Sequence, residues 1–379
     1  MNIAYVHTGD WPSNSPSTTF ATYNCIGLSK HAETCHFFIK RNSNRSSDEL
    51  FSEYFNMKRP ENLIIHQMNK PSINSNFFYY RKIYKELSLM LKSGSIDAII
   101  TRSVTFLPYL VKLKNKFNAK VYFESHDFFA DLSLRKDINI NKKVKQSKIE
   151  NKFIPQLTGL ICLQEAQKKL YLNVFPDLKA GVFRTGILNY HKTGSNKKYI
   201  SYIGSLDTLK GVETLIESLQ YTTTKPKLLI IGGKNKLEIE KIETFIKNVT
   251  PEAEVIISGW INKKKLDELL KETILGIVPM RDTFFNRFLT SPLKLFDFYS
   301  YGIPVICSDL PTGRELISEN MTGLFFEPGN PQDLAKKIDS LLIDDNKIAE
   351  MSNYIFENTS DLLWENRGNK IIEWIKGHE

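Results

Sequence analysis

The chain has 379 residues, of which 41 % are hydrophobic and 25 % charged, with a formal net charge of +9. That length exceeds one ordinary core at roughly 150 residues per domain, and the composition excludes wholesale disorder. No apolar run approaches the ~18–20 residues that cross a bilayer, and the first one, Ile3 to Val6, is too short for the core of a signal peptide.

In chain order, Ile3–His7 predicts a strand and Thr18–His31 a helix. Strands follow at Cys35–Ile39, Leu63–His66, Ala98–Thr101, Lys120–Glu124 and Gly159–Leu163, with helices at Phe77–Lys92 and Phe106–Phe117. Residues 40–60 show no clear period and read as a loop or mobile helix. The second half predicts strands at Lys198–Gly204, Lys227–Gly232, Glu254–Ser258, Leu275–Pro279 and Pro304–Ser308. Helices at Gly211–Leu219, Leu237–Asn248, Lys263–Lys271 and Leu293–Tyr301 separate them. Strands that are continuously apolar, with helices between, imply parallel sheets covered on both faces. Two such series predict an α/β protein of two Rossmann-like domains facing across a cleft. The expected domains are 1–185 and 186–358, with a Gly/Asn/Thr/Ser hinge at Gly186–Asn196. Residues 359–379 form a closing segment whose Leu363, Ile371, Ile372, Ile375, Trp364 and Trp374 need a surface on the first domain or the domain junction. Cys25, Cys35, Cys162 and Cys307 make no CxxC pair and read as reduced core thiols of a cytoplasmic protein.

Charge divides unevenly. Residues 1–185 hold 27 Lys and Arg against 15 Asp and Glu, whereas residues 186–379 hold 24 against 27. The first half therefore suits an anionic partner, unless the lysines are simply a solvated surface. Arg135 to Lys152 concentrates seven basic residues (Arg135, Lys136, Lys142, Lys143, Lys145, Lys148, Lys152), which suits weak peripheral contact with an anionic membrane.

Ligands of doubly wound sheets bind beyond the carboxyl ends of the strands. Gly204-Ser-Leu-Asp-Thr-Leu-Lys-Gly211 follows a strand and opens a helix, so its amides and Lys210 suit a phosphate, although it lacks the glycines of a dinucleotide fingerprint. An ordinary turn is the alternative. In Ser291-Pro-Leu-Lys-Leu-Phe-Asp297, Ser291 suits an N-cap and Pro292 the first helical position. Asp297 is placed to accept from ligand hydroxyls, or is a plain surface acid. In the first half, Glu124-Ser-His126-Asp127 ends a strand, Arg102 ends another, and the loop Gly9–Thr19 follows the first. No DxD ends a strand and no His/Cys cluster occurs, so no metal is expected.

Along nearly its whole length the chain resembles the family-4 glycosyltransferases of the GT-B fold. Gly204–Gly211 resembles the family's diphosphate loop, Ser291-Pro-Leu-Lys-Leu-Phe-Asp-Phe a variant of its donor motif, and Trp364-Glu365 with Arg367 its closing helix. Gly302-Ile-Pro-Val-Ile, Gly323-Leu-Phe-Phe, Thr101-Arg102-Ser103 and Phe123-Glu-Ser-His126-Asp127 complete the match. The resemblance implies retaining, metal-independent transfer of a hexose or related sugar from a nucleotide-diphosphate sugar to a glycan or lipid-diphosphate-linked acceptor, in bacterial surface polysaccharide synthesis at the inner membrane face. It implies that Lys210 and the backbone N–H groups around Ser291, Pro292 and Leu293 hold the diphosphate. Asp297 would take the ribose, His126 and Gly9 the sugar, and Gly259, Trp260 and Ile261 the base. Two departures stand out. Ser205 occupies the place of a basic residue, which Lys294 or Arg102 would replace, and Leu289 falls where a glutamate is usual. Competing readings are a nucleotide-sugar 2-epimerase and a non-catalytic nucleotide- or glycan-binding protein. Nucleic acid is not expected as a partner, since no recognition motif is present.

Overall fold

Strands whose successive residues are all apolar must be covered on both faces, and the computed structural model assembles them into two wholly parallel sheets. It describes every residue except Asn14, residues 70–75, Thr193, Ser195, Asn196, Thr250 and Glu379. Three residues of the expected hinge (Thr193, Ser195, Asn196) and one of the Gly9–Thr19 loop (Asn14) thus lie outside the described residues. The chain divides into two units: Met1–Thr185 with Trp364–Glu379, and Gly186–Leu363.

The first unit holds β1 (Asn2–Trp11), β2 (Thr34–Arg41), β3 (Leu63–Met68), β4 (Ala98–Thr101), β5 (Lys120–Glu124), β6 (Gly159–Cys162) and β7 (Ala180–Val182), in the order β3-β2-β1-β4-β5-β6-β7. Its helices are α1 (Pro16–Ser29), α2 (Ser47–Phe55), α3 (Phe77–Lys92), α4 (Leu107–Phe117), α5 (Val144–Phe153) and α6 (Glu165–Val174). Two expectations change here. β1 runs on past His7 to Trp11, pairing Asp10 and Trp11 with Lys40 and Arg41 after an irregular step, so Gly9 sits in a strand rather than a loop. Residues 40–60 contain α2, which the Ser46–Glu49 capping box starts and which buries Leu50, Phe51 and Phe55. The box spacing S-x-x-E was legible; the helix is too short for its period to show.

The closing helix, Trp364–Lys376, packs on α1, where Gly27 and Gly368 bring the two backbones together: a Cβ on either would meet the other helix's backbone at 2.1–2.2 Å. Trp364 lies against Phe20 and Tyr23, and Trp374 against Tyr122 and Phe183, which satisfies both indoles within this unit. Leu363 is not on the helix; it belongs to the second unit, where it bridges to Ile187.

The Arg135–Lys152 segment is also corrected. Arg135 is 1 % exposed, with its guanidinium on Asp127, Asp137 and the Phe128 carbonyl, so it is no surface charge. Beside it Glu150 is fully buried and accepts from the Phe129 N–H (2.8 Å) and the Tyr171 hydroxyl (3.2 Å). Burial pushes its carboxyl up to about 8. The unfolded chain releases this proton near pH 4.3, the ordinary glutamate value, so stability falls as pH rises from there through the folded value. Glu150→Gln is expected to flatten that slope, gaining about 3–4 kcal/mol on the parent between pH 5 and 8 in urea melts. Parallel pH profiles would refute the assignment.

The second unit holds β8 (Tyr199–Ile203), β9 (Lys227–Ile231), β10 (Val255–Gly259), β11 (Thr273–Val278), β12 (Val305–Ser308) and β13 (Gly323–Phe326), in the order β10-β9-β8-β11-β12-β13. Its helices are α7 (Val212–Ser218), α8 (Lys236–Val249), α9 (Lys263–Lys271), α10 (Phe284–Phe288), α11 (Leu293–Tyr299), α12 (Pro311–Arg314), α13 (Pro331–Leu342) and α14 (Asp345–Asn358). Successive residues of one strand enter opposite cores: Leu228 and Ile230 join one cluster, Leu229 and Ile231 the other. That division is the physical reason for the unbroken apolar runs. All four cysteines are buried free thiols, and no helix among the described residues is long and apolar enough to cross a membrane.

Candidate functional site

In the second sheet the strand order reverses between β8 and β11, and the loops leaving those two strands flank the place where open α/β sheets take ligands. The β8 loop is Gly204–Gly211. The Ser205 hydroxyl donates to the Asp207 carboxylate, which also caps the turn Thr208–Lys210 by accepting from the Leu209 N–H (3.1 Å). Gly211 ends that turn at φ 67° and opens α7; a Cβ there would lie 1.9 Å from the Pro279 carbonyl oxygen, so both conformation and space require glycine. The β11 exit is stitched to the same turn. The Arg281 N–H donates to the Leu209 carbonyl (3.3 Å), and Asn286 Nδ2 donates to the Leu209 (3.1 Å) and Arg281 (2.8 Å) carbonyls. Asn286 is 1 % exposed and is itself held by Thr290 (3.2 Å) and Thr312 (2.6 Å).

The Lys210 ammonium has no partner among the described residues. The Arg281 guanidinium is half-exposed, with Glu213 3.8 Å away. One stitched turn therefore carries an unpaired cation and a loosely paired one beside the open amides at the start of α7. Sequence reasoning passed over Arg281 and Asn286 because they belong to a different strand's exit. The signal that would find them is a basic residue closing the apolar run Leu275–Pro279.

Around α11 the expectations shift by one residue. Pro292 rather than Ser291 occupies the cap position, with no side-chain cap bond, and the Leu295 N–H already bonds the Pro292 carbonyl (2.9 Å). The amides of Leu293 and Lys294 are the open donors of this turn. Asp297 is partly exposed, with its carboxylate 3.4 Å from Lys294 Nζ, so Lys294 spends part of its charge locally. Leu289 is 2 % exposed and fills core, where no sugar hydroxyl finds a partner. Gly259 ends β10 at φ 67°, Trp260 after it is 54 % exposed, and Ile261 packs on the core.

The first sheet has its own reversal between β1 and β4, bridged by Thr8 and Ser103 (3.2 Å). Arg102 donates to the Ser17 carbonyl (2.8 Å) and lies over the Phe20 ring (5.1 Å). The same ring meets His126 edge-on at 4.4 Å. The carboxylate facing His126 is Glu124, 3.8 Å from Nε2; Asp127 is turned away onto Arg135. Burial, then the Arg102 charge, pushes the His126 imidazole down to about 4, so it is neutral at pH 7 and offers hydrogen bonds rather than charge. Gly9 lies against the His7 imidazole, which would contact any Cβ there at 2.4 Å. His7 is 6 % exposed with neither ring nitrogen bonded, and burial drives its pKa far down. It too escaped the sequence reading, which ended its strand there.

Residues 187–358, just under half of the chain and all in the second unit, match the family model for glycosyl transferases group 1. A chitobiosyldiphosphodolichol beta-mannosyltransferase of Candida albicans is 24 % identical over 326 residues, covering 76 % of this chain and 69 % of that protein. A lipopolysaccharide 1,6-galactosyltransferase of Salmonella typhimurium is 28 % identical over 144 residues, 37 % of this chain and 38 % of that one. Among solved structures, HepE of Anabaena in complex with UDP superimposes with a TM-score of 0.74 at 14 % identity over the whole of both chains. The lipopolysaccharide outer core galactosyltransferase WaaB does so at 0.68 and 18 %, over 99 % of each. The fold is that of the GT-B glycosyltransferases. Together the similarities support a group 1 glycosyltransferase.

Proposed function

We propose that this protein transfers a hexose or related sugar, with retention of configuration and without a metal, from a nucleotide-diphosphate sugar to a hydroxyl of a glycan or lipid-linked saccharide in bacterial surface polysaccharide synthesis. The bond from the sugar's anomeric carbon to the diphosphate breaks, a bond to the acceptor oxygen forms, and the acceptor proton passes to the leaving phosphate. Negative charge accumulates on that phosphate, so preorganised positive groups aimed at it lower the barrier. What carries this reading is the Gly204–Gly211 turn: an unpaired Lys210 ammonium and the Arg281 guanidinium on a loop locked by Asn286, at the strand-order reversal of the matched segment. Arg281 then supplies the charge that Ser205 lacks. Asp297 receives the ribose hydroxyls and Trp260 the base. The UDP complex of the structurally similar HepE and the lipid-linked acceptor in the Candida protein's name support the donor and acceptor classes.

A thermal-shift screen with UDP, GDP and ADP tests this. One of the three, at 100 times its dissociation constant, is expected to stabilise the parent by about 2.7 kcal/mol and the Lys210→Ala/Arg281→Ala variant by much less. No shift with any of them would remove the reading.

A further inference from the structure

The first unit's excess charge has a place in the fold that the linear sequence did not reveal. α3 and α4 together carry seven Lys and Arg against one acid, Glu86. Among the described residues Arg81, Lys82, Lys85 and Lys112 form no ion pair, and with Phe77, Tyr84 and Tyr109 they line a surface groove of about 710 Å³. At the head of α3, Phe77 and Phe78 are 50 % and 57 % exposed and pack edge to face at 5.4 Å. Both rings therefore leave about half of their apolar surface in water, and the Arg81 guanidinium lies over that of Phe77 (5.7 Å). Their neighbours on the same turn face the other way: the Tyr79 hydroxyl donates to the His7 carbonyl (2.7 Å) and Tyr80 bonds Thr105 (2.6 Å). This pins the aromatic tip beside the exits of β1 and β4, the ligand edge of the first sheet. α5, which packs on α4, continues the layer with exposed Val144, Lys145 and Lys148.

We propose that the α3–α4 face docks on an anionic lipid bilayer, with Phe77 and Phe78 inserted at the headgroup level and the unpaired cations held over the lipid charge. Lysine-rich helical faces with exposed aromatic residues bind such surfaces in this way. A second copy of the chain is disfavoured because it would set two basic faces together. Nucleic acid is disfavoured because the two rings meet edge to face and offer no flat stacking platform. The proposal rests on the reading above in one respect: a lipid-linked acceptor would then be presented at the first sheet's ligand edge.

Co-sedimentation of the full chain with vesicles tests it, using phosphatidylcholine alone or with roughly 30 mol % phosphatidylglycerol, at about 50 and 300 mM salt. The parent is expected to bind the anionic vesicles at low salt, to be released at high salt and to ignore the neutral ones. Phe77→Ser/Phe78→Ser and Arg81→Glu/Lys85→Glu/Lys112→Glu are each expected to lose at least ~10-fold in binding. Both are to keep the parent's melting temperature and its nucleotide-induced shift, which separates failure of this proposal from failure of the donor site. Parent protein left in the supernatant, variants that bind like the parent, or displacement of the vesicles by a short oligonucleotide would each overturn it.

Discussion

Lys210→Ala is expected to lower sugar transfer by more than ~10²-fold, because removing one preorganised donor to developing oxyanion charge typically costs ~10²–10³ in rate. The loss is expected mainly in kcat, since the charge on the leaving diphosphate grows in the transition state. The fold should be unaffected: the Lys210 ammonium forms no hydrogen bond or ion pair among the described residues, and the turn is held instead by Asp207, Asn286 and the Arg281 amide. Arg281→Ala is expected to cost less, because Glu213 already takes part of its field, and Arg281→Lys to recover part of the loss. Steady-state kinetics with the donor identified by the nucleotide screen decides it. Parent-level turnover in Lys210→Ala would sink the assigned role.

The largest stability effect is expected at the other end of the molecule's charge pattern. Glu124 and Arg367, both buried, form an ion pair that ties the end of β5 to the closing helix. Glu124 also accepts from the Tyr5 hydroxyl and, at 3.4 Å, from Asn24; Arg367 also donates to Asn24 and, at 3.3 Å, to the Phe183 carbonyl. Burial alone would raise the Glu124 pKa, but the Arg367 charge overcomes it and holds the carboxyl well below the carboxylate range. Such a contribution is present above pH ~4.3 and lost as pH falls below it. Arg367→Met leaves a carboxylate buried without its counter-charge, at about 3–5 kcal/mol or a melting temperature lower by about 10 °C. In that variant burial is opposed only by the hydrogen bonds from His126, Tyr5 and Asn24, so protonating Glu124 relieves the strain and the deficit is expected to shrink as pH falls. Adding Glu124→Gln to Arg367→Met is expected to restore part of the stability. Equal deficits in the single and double variants would show that lost packing, not the stranded charge, is responsible.

Much of the site was legible because it is local. The Gly204–Gly211 turn is set by a few consecutive residues whose φ angles and caps are written in Gly and Asp, whereas at α11 the cap falls on Pro292 and not on the expected Ser291. The partners of those residues were not legible. His126 was read beside Asp127, its sequence neighbour, yet the chain bends past the end of β5 and the two side chains part, His126 facing Glu124 and Asp127 facing Arg135. Arg135 counted as a surface charge for the same reason: seven basic residues in a row of eighteen look solvated until one is seen inside.

From the amino-acid order alone followed the two parallel sheets, since unbroken apolar runs separated by helices leave no other economical burial, and the strand-end turns that could meet phosphate. Tertiary structure alone decided where each sheet reverses its order, which brought Arg281 and Asn286 to the Lys210 turn from seventy residues away, and gathered the cations and phenylalanines of α3 and α4 onto one face. The physical reason is that a turn is fixed by the torsions of its own residues, whereas strand order and helix faces are fixed by which distant surfaces exclude water together.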